Sequence, residues 1–336
     1  MLTVLVVGWT DPRQCQALMA AMPEGVALEF ASLSDDLESK VGAADVMVVG
    51  ALPAKLGALA RNLKLLQVDG GGLDGVEYDS LPATAIVANV YEHGVAMAEY
   101  VFMGLLAMAR GLFAADAGLR AGNWSRSWVG GGQQPGSELH GRVLAVLGLG
   151  EVGAAISHLA RGFGMQVIGV SAHPDRHRDI DALWIGDLAS VSRALAEADA
   201  VAVALPLTQE TRGLIGREEL AQMKPSAVLV NVGRAAIIDE DALFDALASR
   251  QIFGAVLDVW YQYPSRGATH RPSSRPFSEL PNVVMTPHIA AWTREAMDAR
   301  ARVIADQIRR LMDGAPLRNI VRGSKTTGDQ TIGKTQ

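Results

Sequence analysis

Three groups of residues in this chain could act together on a carbonyl: the glycine run Gly148-Leu149-Gly150-Glu151-Val152-Gly153, the arginine in Asn231-Val232-Gly233-Arg234, and the histidine in Thr286-Pro287-His288. A glycine loop between a strand and a helix lets the backbone approach a pyrophosphate, while the helix N-terminus supplies N–H groups and partial positive charge. Arginine stays charged and offers a planar fork that suits a carboxylate and a neighbouring carbonyl. Histidine gives or takes a proton near neutral pH. Dinucleotide site, fixed cation and titratable ring are the requirements of carbonyl reduction by hydride transfer.

Each group also has a plainer reading. Gly-x-Gly-x-x-Gly alone is a weak signal, strengthened here by a strand expected over 142–147 and a helix over 154–162. Arg234 could cap the helix that begins near Asp239-Glu240-Asp241, although those acids already suit a helix N-terminus. A single histidine is more often structural, and His288 gains meaning from its company.

The strand Val167-Ile-Gly-Val170 ends in Ser171-Ala-His173-Pro174, with no carboxylate where an NAD site would place one to accept the ribose hydroxyls. Ser171 leaves room for a 2′-phosphate, and His173, Arg176 and Arg178 add positive charge. NADP(H) is therefore expected over NAD(H), against the alternative of a solvated basic turn beside bound NAD.

Two sets of short β-rich runs must position these residues. The first lies at 4–7, 46–49, 65–68 and 85–87, and the second at 143–147, 167–170, 200–204, 228–232 and 255–258. Both alternate with helical segments, which is the grammar of a parallel sheet. The reading is an α/β chain with two parallel-sheet regions. A long apolar helix is expected over 96–120, loops over 123–137 and 264–281, and a last helix over 294–312.

At 336 residues, with 49% hydrophobic, 20% charged and 5% aromatic residues and 35 glycines, the chain suits two α/β domains. A net charge of −6 argues against nucleic acid as the main partner. The lone Cys15 cannot form an internal disulfide, the N-terminus lacks a signal-peptide pattern, and the apolar runs fall well short of the roughly 20 residues that span a bilayer. A cytoplasmic location is expected, with no metal and no membrane partner.

In order along the chain come Gln67-Val-Asp-Gly-Gly-Gly-Leu-Asp74, Ala96-Met-Ala-Glu99, Leu139-His-Gly-Arg142 before the glycine loop, Leu205-Pro-Leu-Thr208, Val230-Asn-Val-Gly-Arg234, Leu257-Asp-Val259 and Thr286-Pro-His288. With these motifs the chain resembles the D-isomer-specific 2-hydroxyacid dehydrogenase family, which includes glyoxylate/hydroxypyruvate reductases and phosphoglycerate dehydrogenases. The resemblance implies two Rossmann-like, doubly wound parallel-sheet domains with the cofactor domain inserted into the substrate domain, here 99–289 within 1–98 and 290–320; the Thr/Gly/Lys-rich composition of 321–336 reads as a mobile tail. The resemblance also implies a homodimer and a small 2-oxo or 2-hydroxy acid substrate.

Carried over by position, Arg234 grips the substrate's carboxylate and carbonyl, and His288 is the acid/base. Gly71 and Gly72 would bind the carboxylate through their amides. Gly148 to Gly153, Ser171, His173, Arg176, Leu205, Pro206, Thr208, Val232, Gly233, Arg234, Asp258 and His288 would surround the cofactor. The family's third catalytic residue is a glutamate that pairs with the histidine. Its place is taken by Tyr263, which is neutral at pH 7. Glu92 could stand in for that carboxylate or sit in a solvent-facing turn, and Trp292, four residues after His288, could share its helical face and narrow the pocket. An enzyme and a nucleotide-binding sensor that has lost turnover are both compatible with this pattern.

Overall fold

The computed structural model describes residues 1–32, 35–132, 135–264 and 269–323. The chain forms two compact units, Met1–Glu92 with Thr293–Gln336, and His93–Trp292. Leaving one unit and returning to it places the second as an insertion in the first.

The first unit runs β1 (Leu2–Val7), α1 (Pro12–Ala21), β2 (Val26–Ala31), α2 (Leu37–Ala43), β3 (Val46–Val49), α3 (Ala54–Gly57), β4 (Leu65–Val68) and β5 (Ile86–Ala88). The second runs α4 (Gly94–Arg110), α5 (Leu112–Arg120), β6 (Val143–Leu147), α6 (Glu151–Gly162), β7 (Gln166–Val170), β8 (Trp184–Gly186), α7 (Val191–Glu197), β9 (Ala200–Val203), α8 (Arg217–Gln222), β10 (Val228–Asn231), α9 (Glu240–Ala248), β11 (Gly254–Leu257) and β12 (Val283–Met285). The chain then returns to the first unit with α10 (Arg294–Asp313) and β13 (Ile320–Arg322).

The first sheet has the order β13-β5-β4-β3-β1-β2, parallel except for β13, which pairs antiparallel to β5. The second sheet, β12-β11-β10-β9-β6-β7-β8, is parallel throughout. Strands β3, β4, β9, β10 and β11 are buried along their whole length, as expected where helices cover both faces.

Alternation along the strands divides each core in two. In the second unit Ala145, Leu147, Val201, Val203 and Leu229 meet α7, α8 and α9 through Leu195, Leu220 and Leu243. Leu144, Val146, Ala202, Val230 and Val256 face Val101, Phe102 and Leu105 of α4 and Ile156 of α6. In the first unit Leu5, Met47 and Leu66 pack with Leu37 and Val41 of α2. Val4, Val6, Val46 and Val48 pack with Leu18 of α1 and Ile304 and Ile308 of α10.

Three expectations change. The single helix over 96–120 is two helices bent by 58° at Gly111, whose φ of +59° ends α4 in a left-handed cap. No single described helix is long and apolar enough to cross a membrane. The unit boundary falls at Glu92/His93 rather than inside α4 at residue 98, because α4 packs on α6 and on β10 and so belongs whole to the second unit. Val321 and Arg322, expected in a mobile tail, are ordered by pairing with β5, while 324–336 lie outside the described residues.

Candidate active site

In the second sheet β6 lies between β7 and β9, so the winding reverses beside it and a crevice opens outside the carboxyl ends of β6 and β9. The glycine loop sits there. Gly148 has φ +99°, and a Cβ on it would come 2.7 Å from the Ala204 carbonyl oxygen at the end of β9. A Cβ on Gly153 would collide with the Gly148 carbonyl, so this glycine lets α6 start tight against the loop. Gly150 differs: a Cβ there would meet nothing within 4 Å.

That open face, next to a helix whose first amides carry no side-chain cap, fits a pyrophosphate. Glu151 could oppose such an anion, but its carboxylate is turned aside and accepts the Gly94 N–H at 3.0 Å. Leu149 is buried, and Val152 packs against the core between α6 and the sheet.

Ser171 follows β7 and is buried. Its hydroxyl lies 2.9 Å from His177 Nε2 and accepts the His173 N–H at 3.1 Å. Burial, chiefly, holds the His177 ring below the usual histidine range. Arg178 is paired with Asp175 at 3.3 Å, both exposed, and His173 and Arg176 are exposed on the same turn.

The loops after β9 and β10 are tied by hydroxyl and amide groups. Thr211 donates to the Pro206 carbonyl at 2.7 Å and accepts the Thr208 N–H at 2.8 Å, fixing the turn after buried Leu205. The Val232 N–H donates to Val203 at 3.1 Å. Asn231, itself buried, accepts the Gly233 N–H at 3.1 Å and donates to the Arg234 carbonyl at 3.2 Å. Arg234 is half-buried, with Nη1 donating to the Gly233 carbonyl at 3.0 Å. The strand end thus sets the backbone on both sides of the guanidinium's root.

His288 sits in the turn after β12 with φ +60°, a conformation that costs a non-glycine residue about 1–3 kcal/mol. Asp258, at the end of β11 and 1% exposed, holds it there. Its carboxylate accepts the Thr286 hydroxyl at 2.6 Å and the Ile289 and Ala290 N–H groups at 2.8 Å each. Asp258, expected beside the cofactor, is the clamp on the histidine turn.

Tyr100 on α4 bonds to the same Thr286 hydroxyl, and burial, the main cause, pushes its phenol up to about 12. The Trp260 indole N–H donates to the Thr286 carbonyl at 2.8 Å. On the exposed side, the Tyr263 hydroxyl lies 2.9 Å from His288 Nδ1 and also accepts the Trp260 backbone N–H at 3.3 Å.

Trp292 does not share a helical face with His288. Residues 288–292 form a turn closed by Trp292 N–H to the Ile289 carbonyl at 2.9 Å, and the indole is 64% exposed. In the first unit, Gly71 and Gly72 follow β4, where Asn89 Nδ2 donates to the Gly71 carbonyl at 3.2 Å. Glu92 ends the first segment of that unit with φ +68°.

Sequence reasoning missed Tyr100, Trp260 and His177 as parts of this architecture. Tyr100 meets its partner across 186 residues, for which no local pattern exists. His177 lay in plain view between two arginines that were singled out for their charge.

The profile of the D-isomer specific 2-hydroxyacid dehydrogenase NAD binding domain matches residues 102–290. The chain belongs to this family. It is 33% identical over 310 residues to the glyoxylate reductase of Thermococcus litoralis, covering 89% of this chain and 85% of that one. It is 32% identical over 318 residues to the D-3-phosphoglycerate dehydrogenase of Methanocaldococcus jannaschii, covering 93% of this chain but 58% of that one. The chain thus spans a little over half the length of the phosphoglycerate dehydrogenases it matches.

Among solved structures, a D-isomer specific 2-hydroxyacid dehydrogenase family protein from Aeromonas salmonicida is similar with a TM-score of 0.80 and 30% identity, over 95% of this chain and 98% of that one. An NADPH-dependent glyoxylate/hydroxypyruvate reductase from Sinorhizobium meliloti, solved with NADP and malonate, shares the fold at a TM-score of 0.79 and 23% identity, over 97% and 99%.

Proposed function

We propose that this chain is an NAD(P)H-dependent reductase that interconverts a small 2-oxo acid and its D-2-hydroxy acid. The observation that carries the reading is the clamped His288 turn, whose ring stands at a strand end of the sheet that also presents Arg234 and the glycine loop. A histidine held in a costly backbone conformation by a buried carboxylate is better explained by a proton-transfer task than by packing.

The cofactor would be held by the Gly148 to Gly153 loop, by the turn after β7, and by the loops bearing Leu205, Pro206, Thr208, Val232 and Gly233. When bound, its nicotinamide supplies or accepts the hydride. Arg234 binds the substrate carboxylate and polarises the neighbouring carbonyl, and His288 delivers a proton to the carbonyl oxygen through Nε2. The Tyr263 oxygen, which accepts the Trp260 N–H, has a second lone pair for the Nδ1–H of His288, so the ring keeps its Nδ1 proton once Nε2 has given up its own. In the oxidative direction the same Nε2 receives the hydroxyl proton. Gly71 and Gly72 stay assigned to the substrate through the family resemblance.

NADP(H) is preferred in this reading, supported by a buried serine in place of a carboxylate after β7 and by the basic turn next to it. A homodimer is supported by the apolar surface of α5 and the loop after it, where Leu112, Phe113, Leu119, Trp124, Trp128 and Val129 are exposed. The cytoplasm is the matching compartment.

The decisive assay follows NADPH and NADH oxidation against glyoxylate, hydroxypyruvate, pyruvate and a branched 2-oxo acid. Tyr263, a neutral partner for His288, favours a second reading: a nucleotide-binding sensor without turnover. Tight cofactor binding with no oxidation against any of the four acids would select it.

A further inference from the structure

Residues 259–264, which carry Tyr263, belong to no helix or strand, so the place of the Tyr263 hydroxyl depends on what this stretch is fastened to. Two ties hold it from outside. The Tyr261 hydroxyl donates to the Ile238 carbonyl at 3.0 Å, just before α9. The Gln262 N–H donates to the Pro272 carbonyl at 3.0 Å, and the Gln262 side-chain oxygen lies 3.2 Å from His270 Nε2.

Pro272 leads directly into residues gathered by a carboxylate of α9. Glu240, the first residue of that helix, is half-buried. Its Oε1 accepts the Ser273 hydroxyl at 2.5 Å and the Ser274 N–H at 2.8 Å, and its Oε2 accepts the Ser274 hydroxyl at 3.0 Å. The Ser273 hydroxyl is buried and in turn accepts the Arg275 N–H at 3.0 Å. An acid at a helix N-terminus is favourable without any partner, and Asp239 already caps α9 through the Ala242 N–H at 2.8 Å. Every described bond of the Glu240 carboxylate goes instead to Ser273 and Ser274. Bonds to an ionised acceptor are roughly twice as strong as neutral ones, which suits an anchor. The same segment reaches Tyr263 by a second route: buried Phe277 sets its ring edge against Trp260 at 6.2 Å, and the Trp260 N–H donates to the Tyr263 hydroxyl at 3.3 Å.

We infer that Glu240 is a positioning residue for the proton-transfer pair: by gathering Ser273 and Ser274 it holds the segment to which Gln262 is pinned, and so keeps the Tyr263 hydroxyl against Nδ1 of His288. The inference rests on the reductase reading for its purpose and on the Tyr263–His288 contact for its geometry. An oxygen that accepts the Nδ1–H favours the protonated ring, so withdrawing it lowers the His288 pKa. Asp258 and Tyr100, the other titratable groups joined to the His288 turn, are the same in every variant below.

The test follows the His288 ring by NMR between about pH 5 and 9 in the wild type, Tyr263→Phe, Glu240→Ala, Glu240→Gln and the double variant Tyr263→Phe with Glu240→Ala. Tyr263→Phe should lower the His288 pKa by about half a unit at this exposed site. Glu240→Ala should lower it by a similar amount, and the double variant should go no further, because both changes remove the same contact. Glu240→Gln keeps an oxygen for Ser273 and the Ser274 N–H and can donate to the Ser274 hydroxyl, so it should restore the wild-type titration. A simple effect of the Glu240 charge would instead shift the glutamine and alanine variants alike. A packing role alone would lower Tm and leave the titration in place.

An unchanged titration in Tyr263→Phe or in a natively folded Glu240→Ala, a further fall in the double variant, or equal shifts with glutamine and alanine overturns the assignment. Should Glu240→Ala fail to fold, Ser273→Ala combined with Ser274→Ala removes both hydroxyls from the same carboxylate and is read by the same criteria. The titration needs no turnover: if no 2-oxo acid is reduced, the reductase reading falls by itself and the NMR result still decides on Glu240. Where reduction is measured, its falling limb should move to lower pH in Glu240→Ala and return in Glu240→Gln.

Discussion

The hydroxyl of Tyr263 lies 2.9 Å from Nδ1 of His288, so the ring proposed to move the proton leans on a group that is neutral at pH 7. A carboxylate in that place would favour the imidazolium by charge, whereas a phenol orients the ring without that electrostatic bias.

Tyr263→Glu should consequently raise the imidazole pKa. Reduction needs a proton on His288, so its rate should hold to higher pH in the variant, the falling limb moving up by about one unit at this exposed site. Oxidation of the hydroxy acid, which needs the neutral ring, should begin at correspondingly higher pH. Initial rates in both directions between pH 5 and 9 check the sign, and coincident profiles would remove Tyr263 from control of the proton.

Arg234→Lys retains the charge and loses the fork. Activity on any 2-oxo acid should fall about a hundredfold or more, because a point ammonium cannot hold carboxylate and carbonyl in one plane. Cofactor affinity, measured by fluorescence titration, should change little. Normal turnover would exclude Arg234 from substrate binding.

Ser171→Asp places a carboxylate where the ribose of the cofactor is expected. NADPH affinity should drop about tenfold to a hundredfold, with NADH affinity rising, through repulsion of the 2′-phosphate. The aspartate can still accept the His173 N–H that the serine hydroxyl accepts now, which preserves the turn. Equal dissociation constants before and after substitution would mean that the turn does not touch the ribose.

Asp258→Asn would set an amide N–H₂ against the Ile289 and Ala290 N–H groups or the Thr286 hydroxyl, since one of its two heads no longer accepts. The cost should be about 1–3 kcal/mol, seen as a lower Tm, and reductive turnover should fall further than the loss of folded protein explains. A lowered Tm with full specific activity would make Asp258 a packing residue alone.

The central strands were legible because both of their faces are buried and their residues read as unbroken apolar runs, as in Val46 to Val49 and Val228 to Val230. β2, β8 and β13 were not, being edge strands paired on one side only and largely half-exposed, so no apolar signal marks them. Gly111 was hidden within an apolar helical pattern that continues on both sides of it. In the site, Arg234 and His288 could be read because they follow strands directly. The Tyr100, Thr286 and Asp258 chain could not, because its members lie on α4, after β12 and after β11 and meet only once the sheet has assembled.

The clamp on His288 joins residues 28 apart with a helix 186 residues away. No fragment of the second unit holds all of these parts unless α4, β11 and β12 are packed together. A partly folded or locally opened chain would therefore have no correctly aimed histidine, even with its glycine loop intact. Turnover becomes a readout of complete assembly: on gentle denaturation it should disappear before cofactor binding does, and on refolding it should return last.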